Sequence, residues 1–220
     1  APGLVAKTKK RLVVASGRSH PSLADDVATA LGTNLVPTEY RTFASGEILT
    51  RFEVSIRGCD AFIIQSFGPP VNEWLMELLI MLDAAKRASA KRITVVAPYY
   101  PYSRQDKKGR GREPISARLV ADLMKTAGAD RVMSVDLHAA QIQGFFDGPV
   151  DHLFAKPVLL EHFHTTLSPE DRELLTVVSP DTGRVRVADT WSDSLDAPLA
   201  IIHKRRDPNV ANQVTVNEIV

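Results

Sequence analysis

The sequence predicts an α/β protein with mainly parallel sheets. Short apolar runs rich in Val and Ile recur along the chain, and segments with apolar residues at helical spacing lie between them. That alternation builds βαβ units. Clusters of polar and charged residues follow directly after the apolar runs. In open parallel sheets, ligands bind beyond the carboxyl ends of the strands, so these clusters are where a site is expected.

The elements read in order as follows. Leu12–Ala15 is a first strand that ends at Ser16-Gly17. Pro21–Leu31 has Leu23, Val27 and Ala30 at helical spacing, and Gly32 stops it. Ala61–Gln65 is a buried strand, and Asn72–Arg87 is the strongest helix, with Leu75, Leu78, Leu79, Leu82 and Ala85 in one stripe. Arg92–Ala97 is a third strand. Ser116–Thr126 follows as a helix, with Leu119, Val120, Leu123 and Met124 expected inward. Arg131–Val135, Thr176–Ser179 and Leu199–Ile202 complete the strands, the last two separated by a helix over Arg184–Leu195. The composition changes near residues 152–170, which places a domain boundary close to residue 152. Domains of about 100–150 residues leave room for two here, the second short.

Bulk properties narrow the function classes. Apolar residues make up 44% of the chain and charged residues 24%, ordinary globular values. No apolar run approaches the roughly 20 residues that span a bilayer. The start, APGLVAKTKKRLVVAS, has too short an apolar stretch for a signal peptide and reads as a loose tail. The single cysteine, Cys59, cannot form an internal disulfide, which fits a reducing cytoplasm. A net charge of +1 argues against bulk binding to nucleic acid or anionic membrane.

Chemistry gathers after the strands. From Arg104 to Arg118 the chain carries six basic residues (Arg104, Lys107, Lys108, Arg110, Arg112, Arg118) against Asp106 and Glu113, with Gly109 and Gly111 expected to make the stretch mobile. A mobile basic loop at a strand's carboxyl end suits a polyphosphate. A solvated surface loop is the plainer reading. A single-stranded nucleic-acid site with Tyr99, Tyr100 and Tyr102 as stacking platforms is a third, disfavoured by the near-neutral charge. After Val135 come Asp136 and His138, which strand alternation points the same way, with Asp147 and Asp151 close behind. A carboxylate and an imidazole on one side can hold a divalent ion directly or through its waters. Asp181 follows the strand ending at Ser179, where a turn or N-cap role is the common explanation. His203-Lys204-Arg205-Arg206 is a cationic cluster at a strand tip, able to stabilise charge in phosphoryl transfer. No GxxxxGK[ST] loop occurs.

The segment DLHAAQIQGFFDGPVD at Asp136–Asp151 resembles the signature of the ribose-phosphate pyrophosphokinases, also called phosphoribosyl pyrophosphate synthetases. FASGE at 43–47, YPYSRQDKK at 100–108, REPISAR at 112–118, SPDTG at 179–183 and HKRR at 203–206 resemble the same family, in its order and at its spacing. The likeness runs from about residue 11 to the end, and a signature of this length is highly specific.

The resemblance implies two type I phosphoribosyltransferase-like domains with mainly parallel sheets, the second truncated in this chain. It implies transfer of a diphosphoryl group from Mg²⁺-bound ATP to ribose 5-phosphate, giving phosphoribosyl pyrophosphate and AMP for nucleotide biosynthesis. It implies that Arg104 and Gln105 contact ATP. It implies that Phe43, Ser45, Gly46 and Glu47 belong to a loop that would clasp adenine from a neighbouring subunit in a homo-oligomer, usually a hexamer. His138 and Asp181 would hold Mg²⁺, with Asp136, Asp147 and Asp151 as secondary candidates. Lys204 and Arg206 would stabilise the transferring group, Arg206 also lying near the sugar phosphate. The chain departs from the family at Ser45, where Asp or Asn is usual, and at Ala140, where many members have the Ser linked to regulatory phosphate binding. The family's sugar-phosphate loop, an acidic pair followed by Thr-Gly-Gly-Thr, does not occur in the chain, and VTVNEIV at its end reads as a strand without a partner. Residues 1–220 alone are therefore expected to make no product. Two rivals remain: a non-catalytic regulatory homologue of the synthetase, and a phosphoribosyltransferase sharing the fold.

Overall fold

The computed structural model describes residues 11–206 and 214–219, with side chains described for residues 11–202. The chain divides into two compact units, with the division between Phe154 and Ala155.

The first unit is built on a five-stranded, fully parallel sheet. Its strands are β1 (Leu12–Ser16), β4 (Asp60–Ile64), β5 (Arg92–Ala97), β6 (Arg131–Val135) and β7 (Val150–Leu153), adjacent in that order. Between β1 and β4 the chain forms an antiparallel hairpin of β2 (Thr38–Thr42) and β3 (Ile48–Phe52). The helices are α1 (Pro21–Ala30), α2 (Val71–Arg87) and α3 (Ser116–Ala127). Strand alternation splits the apolar side chains into two clusters. Val13, Ala15, Ile63 and Val95 join Leu78, Leu82, Val120 and Met124 in the main core beneath α2 and α3. Val14 and Ile64 face the other way, onto Ala24 of α1. Helices on both faces of a parallel sheet are the arrangement the alternating pattern predicts.

The inward faces of two helices differ from the sequence expectation. In α3 the buried residues are Ala117, Val120, Ala121 and Met124, while Leu119 and Leu123 are exposed. In α1, Ala24 and Ala28 are buried, Leu23 and Val27 only partly, and Ala30 is exposed. Each buried set keeps helical spacing, displaced toward the small residues, because alanines let a helix approach its neighbour closely. In α2 the expected stripe holds for Leu78, Leu82 and Ala85, but Glu77 lies fully buried beside it.

The second unit carries α4 (Lys156–Thr166), α5 (Pro169–Glu173), β8 (Val177–Ser179), α6 (Val185–Leu195), β9 (Leu199–Arg206) and β10 (Val214–Ile219). β8 pairs parallel with β9, and β10 pairs antiparallel with β9. Val214–Ile219 of the terminal VTVNEIV segment thus has a partner, contrary to the sequence expectation: it pairs along β9 from Val214 opposite Arg206 to Ile219 opposite Ile202, with a register shift between Val216 and Glu218. Among the described residues no helix is long and apolar enough to cross a membrane.

Candidate functional site

The carboxyl end of β5 opens into a loop that returns as α3. Tyr100 is buried and donates to the Ala117 carbonyl at 3.1 Å, tying the start of the loop to α3. Burial and the nearby Asp122 carboxylate raise the Tyr100 pKa well above the usual phenol value. Gln105 is fixed from both sides: its amide donates to Tyr102 O at 2.9 Å, and its carbonyl accepts from Ala117 N at 3.2 Å. Its side-chain oxygen accepts from Ser116 Oγ at 2.5 Å. Arg104 and Gln105 are exposed and Asp106 is buried.

The first glycine of this loop is held. Glu113 accepts from the amides of Gly109 at 2.7 Å and Arg110 at 2.9 Å. Those two bonds, Arg110's first, hold the Glu113 carboxyl below its ordinary pKa. Two consecutive backbone donors around one anionic oxygen make a small anion-binding concavity, here filled by the chain's own carboxylate.

β6 ends at Val135, and Asp136 adopts φ 46°. The strand alternation assumed from sequence therefore stops one residue short. Asp136 and His138 are nonetheless both exposed, on either side of buried Leu137. This turn is anchored to β7: Asp136 N donates to Leu153 O at 2.9 Å, and Leu137 N to His152 Nε2 at 3.0 Å. The 3-10 turn Ala140–Gly144 follows, and Gln141 Nε2 donates to Asp106 at 2.6 Å. That bond joins the basic loop to the Asp136–Asp151 segment. Arg104, Gln105, Asp106, Lys107, Glu113 and His138 line one cleft of about 480 Å³.

The other sequence candidates stand elsewhere. Asp151 forms an ion pair with Arg131 at 2.9 Å, which accounts for it structurally. Asp147 is exposed. Phe43, Ser45, Gly46 and Glu47 form the tip of the β2–β3 hairpin, and none of them lines the cleft. There Ser45 Oγ donates to Glu47 Oε2 at 2.8 Å, and Gly46 takes φ 90°, a conformation suited to glycine. Asp181 belongs to the second unit and leads into the turn Thr182–Arg184 without a side-chain cap. Lys204 and Arg206 are backbone positions on β9; their side chains lie outside the described residues. Among the described residues no group of three or more His, Cys, Asp or Glu is placed to hold a metal ion.

Sequence reasoning missed two residues that organise this region, Asp106 as the tie to Gln141 and His152 as the acceptor for Leu137, and, away from it, the buried Glu77 bound to Arg18 and Gln65. Only Glu77 left a signal, a charged residue within the apolar stripe of α2.

Residues 12–128 match the family model of the N-terminal domain of ribose phosphate pyrophosphokinase. The ribose-phosphate pyrophosphokinase of Streptomyces avermitilis is 63% identical over 218 residues, 99% of this chain and 66% of the relative. That of Corynebacterium glutamicum is 58% identical over 215 residues, 97% of this chain and 65% of the relative. The crystal structure of phosphoribosylpyrophosphate synthetase from Mycobacterium smegmatis superimposes with a TM-score of 0.85 at 57% identity, covering 95% of this chain and 67% of that one. The chain thus spans about two thirds of the length of these relatives.

Proposed function

Since the chain belongs to the ribose-phosphate pyrophosphokinase family, we propose that it forms the nucleotide-binding part of an enzyme that makes phosphoribosyl pyrophosphate and AMP from ATP and ribose 5-phosphate. The observation that carries the reading is the cleft in which Arg104, Gln105, Lys107 and His138 converge. A guanidinium, a fixed carboxamide and an ammonium at the carboxyl end of a parallel strand suit a polyphosphate.

In this reading the anomeric hydroxyl of ribose 5-phosphate attacks the β-phosphorus of ATP. A new oxygen–phosphorus bond forms, the bond from the β-phosphorus to the bridging oxygen breaks, AMP leaves with that oxygen, and the hydroxyl proton passes to solvent. Such a transfer needs positioning and charge neutralisation rather than a covalent intermediate. Arg104 and Gln105 hold the nucleotide phosphates, the carboxamide kept in orientation by Ser116. Lys204 and Arg206 neutralise the charge on the transferring group, and Arg206 also neighbours the sugar phosphate.

Mg²⁺ is read as a cofactor that screens phosphate charge when bound. His138 and Asp181 are the residues assigned to it. Mg²⁺ keeps several waters and takes few protein ligands beside phosphate oxygens, so an exposed imidazole in the cleft, with no group of three or more His, Cys, Asp or Glu placed to hold a metal among the described residues, fits an ion that arrives with the nucleotide. The loop of Phe43, Ser45, Gly46 and Glu47 is read as an adenine contact in a neighbouring subunit, which calls for a homo-oligomer, a hexamer on the family pattern. The enzyme is read as cytoplasmic, a reducing compartment that suits the free, buried thiol of Cys59.

The test is AMP release by the intact protein. Arg104→Ala is expected to lower kcat/KM for ATP by about 10- to 100-fold, the loss of a charged hydrogen bond. Lys204→Ala is expected to lower kcat while ATP still binds. Turnover that does not depend on ribose 5-phosphate, or an Arg104→Ala enzyme with unchanged kinetics, would sink the proposal.

A further inference from the structure

Glu77 is fully buried on α2. A buried carboxylate is tolerated only when its oxygens are matched by charge and hydrogen bonds. Glu77 Oε2 accepts from Arg18 Nε at 2.6 Å, and Oε1 accepts from the Arg18 amide at 2.7 Å and from Gln65 Nε2 at 3.1 Å. Gln65, also buried, accepts from Ser19 N at 3.2 Å and Ser19 Oγ at 2.5 Å, and donates to Trp74 O at 3.2 Å. Gly17 lies so close that a Cβ there would sit 2.2 Å from Gln65 Oε1. The loop after β1 is thus locked to α2 and to the end of β4.

One part of the network points outward. The Nε edge of the Arg18 guanidinium is held by Glu77, and Nη1 donates to Thr42 Oγ1 at 3.3 Å. The guanidinium also stands 5.6 Å from the centre of the Tyr40 ring, within cation–π range, and Tyr40 OH donates to Ser16 O. Thr42 is the last residue of β2 and directly precedes Phe43. A buried, rigid anchor therefore reaches the root of the hairpin at the point where the Phe43–Glu47 loop begins.

We propose that Arg18 is a positioning residue for that loop: gripped by Glu77, it fixes Thr42, and with it the angle at which Phe43–Glu47 meets the base of a nucleotide. This rests on the reading of the loop as an adenine contact. Without the tether the loop must be ordered by the nucleotide itself, which weakens ATP binding and leaves the chemical step alone.

The test measures KM for ATP, KM for ribose 5-phosphate and kcat on the intact enzyme. Thr42→Val removes the hydroxyl at an exposed site and leaves the Arg18–Glu77 pair in place. Arg18→Lys keeps the charge beside Glu77, but one ammonium cannot serve both Glu77 and Thr42. Each is expected to raise KM for ATP about 3- to 10-fold, the size of one hydrogen bond, with kcat and the sugar KM unchanged. Thr42→Ser is expected to restore the wild-type KM. Arg18→Met combined with Glu77→Gln removes partner and buried charge together, avoiding the unpaired buried carboxylate that Arg18→Met alone would leave, and is expected to behave like Thr42→Val.

If Phe43→Ala raises KM for ATP while Thr42→Val and Arg18→Lys stay within about twofold of wild type, smaller than one hydrogen bond, the tether idea fails and the loop reading survives. If Phe43→Ala and Glu47→Ala also change nothing, both fail. A Thr42→Val enzyme that weakens ATP binding only by dissociating its oligomer, seen by sedimentation, overturns the proposal as well.

Discussion

Tyr40 shows how one side chain records the environment that the network creates. Burial raises its pKa from 10.0 to about 12, the Glu77 carboxylate adding to the shift while a hydrogen bond with Thr38 and the charge of Arg18 oppose it. A phenol whose folded pKa exceeds its unfolded value holds its proton more tightly when folded. The stability this contributes is complete below pH 10 and is lost as the pH rises toward 12. Allowing for the partly exposed ring, the contribution is about 1–2 kcal/mol. Denaturant titrations at a series of pH values are expected to show stability falling across that window, and falling less in Tyr40→Phe. Tyr100, whose pKa burial also raises, remains in both proteins and supplies the shared part of the decline. Equal slopes in the two proteins would show that Tyr40 titrates as a free phenol.

At the scale of elements, period alone located four strands of the parallel sheet and the three helices of the first unit, because each buries one regular face, but it passed over β7, whose VDHL has no buried residue. It missed the β2–β3 hairpin. TEYRT and ILTRF carry polar or charged residues on strands of which only Thr50 is buried, so no apolar alternation marks them. It also chose the large residues Leu119 and Leu123 over Ala117 and Ala121 as the inward face of α3, since close helix approach is decided by the partner, which the sequence does not display. The basic loop is the sharpest case. Its two glycines read as mobility, but Glu113, four residues beyond Gly109, closes a ring on the amides of Gly109 and Arg110. Glu113→Ala is expected to speed hydrogen exchange at those two amides about 10-fold, the loss of roughly one hydrogen bond, with the amides of β5 unchanged. Because the Glu113 pKa is lowered, acid should have the same effect: the ordering is present above the unfolded carboxyl pKa and is lost as the pH falls through the folded one. Equal exchange in the variant and the parent would mean the clasp does not persist in solution.

Across the whole chain the two units differ in how much they bury. In the first, α2 and α3 each cover the sheet with four or more buried residues. In the second, α4 and α5 have none among the described residues, and α6 has Ala188. Val158 is 70% exposed and Leu174 84%, so apolar side chains there meet water rather than a core. Hydrophobic burial is the main favourable term in folding, and regions with few buried apolar contacts open at lower free energy. The composition change near residue 152 carried part of this, since HLFAKPVLLEHFHTTL has apolar residues without a clean helical face. Where those residues pack depends on their neighbours and was not legible. Limited proteolysis of the 220-residue chain is therefore expected to cut first within α4 and α5, leaving a resistant fragment that ends near Phe154. Hydrogen exchange should show the same order, with the amides of α4 exchanging well before those of β4 and β5. Magnesium–ATP should widen the gap if the cleft at Arg104 and His138 is the nucleotide site, because a ligand stabilises the unit that binds it. Protection that rises equally in both units would place the ligand's contacts in the second unit as well, and cleavage that begins in the first unit would refute the ranking of their stabilities.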